Sequence, residues 1–501
     1  MQNAYQLNKV SKKTMRVLLV NTPIDKADTL GKFSKVYDDL KMVPIGIAYL
    51  AAVLRKNNVD VNILDQYAEC LTEEQIFSRV KDYSPDLIGY GSTTPNYSAA
   101  IDLTRRIHAK FPDIKVVMGG QHPSIFPEET LSIPEVDFVI RDEGEYSLLS
   151  LCRALESGKG FDEIKGLSYK DEAGTIKHNP SSESVNIDEL PWPAYDLLPM
   201  HVYSSPSYTR FALPVYQMSA SRGCPNQCTY CINAELNIAA RYRKRDVDNV
   251  LDEMEMLVNK YGARQIQFWD PIFPLGKKHA FEFCDKLMAR GLHKKIVWNS
   301  TTYAEFLDKE IVEKMAAAGC KGIGFGIESA VPELLKSVNK KSDLTNTIEM
   351  CKVARKNGMV VVGSFILGLP GETREMSKTT IDFSKKLDIH YAQFSIFTPY
   401  PGTPVYRDLK EKGLISLDED TDFSRFNQSV GLTEHDPIYV PEGRTAEELK
   451  KLQRQAYSEF YFRIKIVLMQ IPHLKISMLV RMLKSFFAVL ALKAESLTAK
   501  D

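Results

Sequence analysis

From Met15 onward the chain alternates short β-branched runs with helical stretches, twice over, with a proline-rich interval between the two series. Such alternation dictates parallel α/β architecture, because parallel neighbours need a crossover between them, usually a helix. The first series begins with RVLLVN at 16–21 and a helix over 45–56. VDVNIL up to Asp65, a helix near 73–81, DLIGYGS from Asp86 and a helix over 96–110 follow. It closes with KVVMGG ending at Gly120, DFVI at 137–140 and a helix over 146–156. Residues 15–159 are therefore expected to form an open, doubly wound α/β sheet. Ligands of such sheets sit at the carboxyl ends of the strands. Those ends carry Ser92-Thr93-Thr94, Gly119-Gly120-Gln121-His122 and Glu143-Gly144-Glu145.

Residues 160–212 break the rhythm. GLSYKDEAGTIKH reads as a hairpin around Ala173-Gly174, and Pro180, Pro191, Pro193, Pro199 and Pro206 follow, the mark of an ordered connector. The second series starts at Val215. Its strands are VYQMSA, QIQFW from Gln265, KIVWNS from Lys295, GIGFG from Gly322, VVVGSFI from Val360 and YAQFSIF from Tyr391. Helices are expected near 246–261, 277–290, 309–318, 344–357 and 373–386. Six such units suit a partial (β/α)6 barrel over 213–410, with functional residues at the strand carboxyl ends. Residues 411–501 read as a helical carboxyl-terminal region. Its helical tail over 445–495 opens on Thr445-Ala446-Glu447-Glu448, which resembles a capping box. Residues 1–14 are expected to be a disordered leader.

A chain of 501 residues has room for two to four such units. Lysine plus arginine and aspartate plus glutamate both number 64, so no basic excess drives nucleic-acid binding. No amino-terminal apolar run reads as a signal peptide, and no stretch approaches the ~20 apolar residues of a membrane span. A cytoplasmic protein is expected. A reducing compartment argues against a disulfide framework for its eight cysteines. Three of them, Cys224, Cys228 and Cys231, fall within SRGCPNQCTYC directly after the first barrel strand.

Three thiolates on one tight loop can ligate three corners of a cubane iron–sulfur cluster. The fourth iron then keeps an open position, as catalytic metal sites do. A structural zinc site needs a fourth nearby Cys or His, and none follows Cys231 as far as Arg243. A redox CxxC pair would not require Cys224.

The CxxxCxxC motif in this context resembles the radical S-adenosylmethionine (SAM) superfamily. The resemblance implies a [4Fe–4S] cluster on the three cysteines, with the open iron chelated by the amino and carboxylate groups of SAM. An electron from a donor such as flavodoxin or ferredoxin would then cleave SAM to a 5′-deoxyadenosyl radical. GFGIES at 324–329 resembles the family's fourth-strand motif. SFILGLPGE at 364–372 resembles the fifth-strand glycine motif near adenine, and TPYPGTPVY at 398–406 resembles the strand-six exit. The implied SAM contacts are Tyr230, Gly326, Glu328, Ser329 and Gly368. The chain departs from relatives at Asp270-Pro271, where two acidic residues are common.

VPIGIAYLAAVLR at 43–55, GGQHPS at 119–124 and RDEGE at 141–145 resemble the Rossmann-like cobalamin domain that precedes many radical SAM barrels. The implied contacts are Ser92, Thr93, Gly119 and Gly120, the two glycines leaving space for a bulky cofactor or its nucleotide tail. No Asp-x-His-x-x-Gly motif occurs, so the resemblance implies base-off cobalamin without a histidine ligand. Asp142 stands where relatives commonly carry glycine. Methylthiotransferases need three amino-terminal cysteines, whereas this region offers Cys70 and Cys152. Those two, with Cys284, Cys320 and Cys351, read as buried small hydrophobes. His108 and His122 read as surface or hydrogen-bonding residues rather than ligands.

The expected function is cobalamin-dependent radical SAM chemistry. Its product would be a methylated unactivated carbon (or phosphorus) of a small-molecule or lipid-linked substrate. The alternatives are a radical cyclase or rearrangement of the anaerobic porphyrin-ring-cyclase type without methyl transfer, and a non-catalytic cobalamin sensor. An intact cysteine triad counts against the sensor. The tail beyond Phe460 mixes Arg463, Lys465, Lys475, Arg481 and Lys484 with Ile464, Ile466, Met478 and Phe486. It is expected either to pack on the barrel or to rest on a membrane surface.

Overall fold

In a computed structural model, residues 14–23, 41–234, 242–415, 421, 423–426, 435–464 and 466 are described. All but residue 14 of the expected leader over 1–14, and the part of the expected helical tail beyond residue 466, lie outside the described residues.

The first series forms β1 (Arg16–Asn21), β2 (Asp60–Asp65), β3 (Leu87–Gly91), β4 (Lys115–Gly119) and β5 (Phe138–Ile140). They are parallel and ordered β2-β1-β3-β4-β5, the flavodoxin-like variant of the doubly wound sheet. Near-continuous runs such as VLLV are buried because helices cover both faces. The hairpin read around Ala173-Gly174 forms from β6 (Leu167–Lys170) and β7 (Ile176–His178). It extends the sheet antiparallel to β5.

The second series gives β8 (Val215–Met218) and a short ladder of β9 (Ser221–Arg222) with β10 (Arg243–Lys244). It continues with β11 (Gln265–Phe268), β12 (Val297–Thr302), β13 (Cys320–Glu328), β14 (Val360–Leu367) and β15 (Tyr391–Ile396). The six long strands are all parallel in the order β15-β14-β13-β12-β11-β8, a partial barrel.

The connector fills this barrel from below. Phe211 and Ala212 donate their amides to Gln265 Oε1 at 2.7 and 3.0 Å, and Gln265 Nε2 donates to Thr209 O and Asn299 Oδ1. Ser205 donates to Gln267 at 2.6 Å. Gly322 makes room for the Phe211 ring, which would lie 2.8 Å from an added Cβ. Amides and glycines thus replace the branched side chains that usually pack a barrel lumen.

One apolar core runs from a face of the first sheet through Tyr195 and Met200 of the connector to the helices of the barrel. The helix Ile45–Lys56 lies at the centre of this joint, apolar on nearly all sides. Arg245 is buried there between Glu253, Ser219 O and Asn249, and Tyr195 donates to Glu253 at 2.7 Å.

Two expectations change, and one departure from relatives leaves the backbone as it was. Cys70 is exposed rather than buried, because it takes the left-handed carboxyl cap of a four-residue helix (φ 55°). Thr445 does cap the helix Ala446–Tyr461 by accepting the Glu448 amide. The Glu448 carboxylate, however, is drawn to Arg374 at 2.7 and 2.8 Å in place of completing a capping box. Asp142 adopts the left-handed φ of 66° that glycine would take, so the turn survives the substitution. No helix among the described residues is long and apolar enough to cross a membrane.

Candidate active site

β8 points the chain at the barrel mouth, and buried Asp270 then captures it. Ala220 donates its amide to both Asp270 oxygens at 3.1 and 3.0 Å, and the Ser221 hydroxyl donates to the same carboxylate. Burial raises the Asp270 carboxyl to about 7. Asp270 therefore braces the approach to the cysteines. The β9–β10 ladder closes the base of the loop, and Gly223 turns it with φ 80°. Beyond the turn, Cys231 N donates to Cys228 O at 3.0 Å, and Thr229 N donates to Val338 O at 2.9 Å. Asn339 Nδ2 holds Gln227 O at 2.7 Å. The loop is pinned from three sides.

Burial raises all three thiols, Cys231 to about 11, and Cys231 also feels Cys228 and Cys224. Among the described residues no three Cys, His, Asp or Glu side chains converge on a single metal ion. Three thiols on one pinned loop can each take a separate corner of a cubane and leave the fourth iron open.

Beside them β13 ends irregularly, with a register shift between Gly326 and Glu328 and a left-handed φ of 64° at Glu328. This turns the Glu328 carboxylate back over Gly326, where an added Cβ would meet Oε1 at 2.6 Å. Lys340 Nζ lies 3.2 Å from Glu328 Oε1 and 4.5 Å from the Tyr303 ring centroid, with both charged side chains largely buried. Tyr230 is held near Cys228 and Glu328, and burial raises its phenol strongly. Lys340 and Tyr303 join the site without any motif to announce them. Their only sequence signal is position, in the loops after β13 and β12.

Two sequence candidates serve the walls. Ser329 is fully buried, and its hydroxyl faces Thr380 at 3.2 Å and accepts the Val331 amide. Gly368 (φ 87°) packs under Leu449, and its amide donates to Glu372 at 2.9 Å. Arg444, buried above Ser377, ties this glycine loop to the carboxyl-terminal helix.

In the first domain Ser92 follows β3 at the switch point of the sheet, and its amide donates to Gly119 O at 2.8 Å. Gly120 (φ 92°) is required by close packing, since a Cβ would lie 2.6 Å from Ser92 O. At Gly119 the neighbour is Ile140 O, at 3.3 Å from a Cβ. At both glycines the direction a Cβ would take thus meets protein backbone. Thr93 is engaged with Asn96, its amide donating at 2.7 Å. Two buried polar atoms beside this turn, Ser92 Oγ and His122 Nε2, have no protein partner. Such orphans are costly without a ligand, and neutral donors and acceptors fit the amides and nucleotide tail of cobalamin. His122 sits among Tyr97, Phe126 and Phe423, with centroids 3.9 to 5.1 Å away, and burial lowers it to about 3.

The two halves of the site face each other. Ile125, just past His122, packs against Gly402 beyond β15. Glu143 and Glu145, at the exit of β5, form ion pairs with Arg222 at 3.0 and 2.6 Å, two residues before Cys224.

The sequence matches the radical SAM superfamily profile over residues 218–384 and the B12-binding domain profile over residues 37–151. It is 35% identical to an uncharacterized methyltransferase of Pyrococcus horikoshii over 92% of this chain and 95% of that protein. It is 27% identical to the anaerobic magnesium-protoporphyrin IX monomethyl ester cyclase of Cereibacter sphaeroides, over 84% of this chain and 67% of the cyclase. The fold matches the radical SAM methyltransferase TsrM of Kitasatospora setae, solved with cobalamin and a [4Fe–4S] cluster. That match has a TM-score of 0.67 and 19% identity, over 89% of this chain and 88% of that one. The chain belongs to the cobalamin-binding radical SAM enzymes, and its cofactors are a [4Fe–4S] cluster, SAM and cobalamin.

Proposed function

We propose that this enzyme methylates an unactivated carbon (or phosphorus) of a small-molecule or lipid-linked substrate held between the barrel mouth and the cobalamin domain. The observation that carries the reading is the direct apposition of the cysteine loop and the strand ends of the first sheet, through Arg222 with Glu145 and Gly402 with Ile125. When bound, the cluster and SAM supply a hydrogen-abstracting radical and cobalamin supplies a methyl group that can be released homolytically.

In this reading Cys224, Cys228 and Cys231 hold the cluster. Glu328 is poised for the SAM ammonium or ribose hydroxyls and Lys340 for its carboxylate, since each already offers the opposite charge. Gly326 keeps the floor beneath both side chains clear, Tyr230 shields the thiols, and the Gly368 loop borders adenine. Ser92, Thr93, Gly119 and Gly120 form the cobalamin side. The protein's contribution is positioning and exclusion of water. An external one-electron donor of the flavodoxin or ferredoxin kind serves it.

The test is to incubate the reconstituted, reduced enzyme with methyl-labelled SAM and a small-molecule extract. Equal amounts of 5′-deoxyadenosine and S-adenosylhomocysteine, with label in a new product, support methylation. 5′-Deoxyadenosine with an altered product but no label supports the second reading, a cyclase or rearrangement, which the likeness to the cyclases keeps open. For the tail, co-sedimentation with anionic liposomes of the full chain and of a chain ending at Ile466 tests peripheral membrane contact. Greater binding by the full chain supports membrane contact through the tail, and equal binding by both speaks against it.

A further inference from the structure

We propose that Glu143 and Glu145 of the cobalamin domain are positioning residues for the iron–sulfur cluster, acting through Arg222 and Arg243 at the base of the cysteine loop. The proposal rests on the cluster assignment above.

The β9–β10 ladder is only two residues long, and it sets Arg222 directly opposite Arg243. Like charges opposite one another destabilise an antiparallel pair. This ladder anchors the base of the segment that starts at Gly223 and carries the three cysteines. Something must neutralise the two guanidiniums, and both carboxylates that do so come from the other domain.

Glu143 Oε1 accepts from Arg222 Nη1 at 3.0 Å and from Arg243 Nη2 at 2.6 Å, bridging the two arginines. Its Oε2 accepts from Arg243 Nη1 at 3.0 Å and from the amide of Val185 in the connector at 2.9 Å. Glu145 takes the remaining fork of Arg222 at 2.6 Å. The Arg222 guanidinium also lies 5.1 Å from the Tyr49 ring centroid, on the helix at the domain joint.

Two cations meet two anions, and the carboxylates are largely buried, with side chains 12% and 6% exposed. Fork geometry of this kind fixes orientation as well as charge. From Arg222 a single residue, Gly223, separates the clamp from Cys224. The strand-end loop of the cobalamin domain therefore sets where the first cluster ligand stands, and through it the distance from cluster to cobalamin. Glu143 and Glu145 do not themselves reach the cluster.

The test uses the full chain and four proteins: wild type, Glu145→Gln, Glu143→Gln/Glu145→Gln, and Arg222→Lys. After anaerobic reconstitution, iron content, the rate of iron loss to a ferrous chelator, and the electron paramagnetic resonance spectrum of the reduced cluster with and without SAM are measured. Cobalamin retention and thermal melting are followed in parallel. The double variant should keep cobalamin yet lose iron at least about tenfold faster than wild type, since breaking a buried pair leaves an uncompensated charge. Its SAM-induced spectral change should shrink. Glu145→Gln and Arg222→Lys should fall between, as partial losses of one fork. Should the double variant fail to fold, those two single variants decide. Wild-type iron retention and an unchanged SAM-induced shift in the folded variants would overturn the proposal. If Cys224→Ala/Cys228→Ala/Cys231→Ala still loads iron as wild type does, the cluster assignment fails instead.

Discussion

Lys340 and Glu328 form a largely buried ion pair, Nζ to Oε1 at 3.2 Å, beside the cysteine loop. Glu328 reaches it from a left-handed backbone conformation, which a long side chain adopts only where surroundings over-determine it. Lys340→Met leaves the carboxylate buried and uncompensated, and should lower stability by about 3 kcal/mol. Adding Glu328→Gln should recover part of that loss, because the two residues are coupled. Iron loading should persist in both variants while SAM affinity, measured by calorimetry, drops in each.

Asp270 gives a pH signature. Its folded carboxyl titrates near 7, raised by burial from 3.8, so the folded state binds the proton more tightly than the unfolded chain. The stability from this site is complete below about pH 4 and is lost as pH rises through 7. Wild type should therefore lose stability relative to Asp270→Asn across that window, on the order of a few kcal/mol. Denaturant unfolding at pH 5 and pH 8 checks this; parallel curves for the two proteins would refute the assignment.

His122 has the opposite sign. Burial depresses it from 6.5 to about 3, so its stabilising neutral form is complete above 6.5 and the benefit is lost as pH falls toward 3. His122→Phe should flatten that acid limb. His122 Nε2 is an orphan in the protein but Nδ1 faces Thr94 Oγ1 at 3.3 Å, so at pH 8 the variant should lose no more than about 1 kcal/mol, the worth of that one hydrogen bond. Cobalamin retention, followed by absorbance after gel filtration, should weaken roughly three- to tenfold, the worth of one hydrogen bond.

Gly120→Ala should be the most damaging small change in the first domain. A Cβ there would fall 2.6 and 2.8 Å from Ser92 O and N at a φ of 92°. A loss of at least about 2 kcal/mol is expected, together with loss of cobalamin. Gly119→Ala, with a φ open to any residue and its nearest neighbour 3.3 Å away, should be milder in the same thermal melts.

Much of the fold was legible because both sheets are parallel. RVLLVN at 16–21 and the helix Ile45–Lys56 stand where periodicity puts them, and all six barrel strands follow the expected alternation. Contacts between distant segments were not legible. Nothing local in RDEGE shows that Glu143 would turn toward Arg243, 100 residues later, instead of toward a ligand. Lys340 has no motif, and becomes part of the site only because the segment after β13 folds back across the cysteine loop. Gly120 was read as space for a cofactor, and nothing local shows that a Cβ there would also meet the Ser92 backbone. A missing side chain in a sequence does not say what occupies the gap. Cys70 misled for a related reason: average burial of cysteine says little about a residue at a left-handed helix cap.

The central claim is that Cys224, Cys228 and Cys231 carry the cluster that cleaves SAM. It is tested by quantifying 5′-deoxyadenosine released from SAM by anaerobically reconstituted, chemically reduced protein, with no substrate added. The wild-type chain should release it and bind about four irons, and the variant with all three cysteines replaced by alanine should do neither. Release of 5′-deoxyadenosine by the triple variant at the wild-type rate, or no release by iron-loaded wild type, would contradict the account.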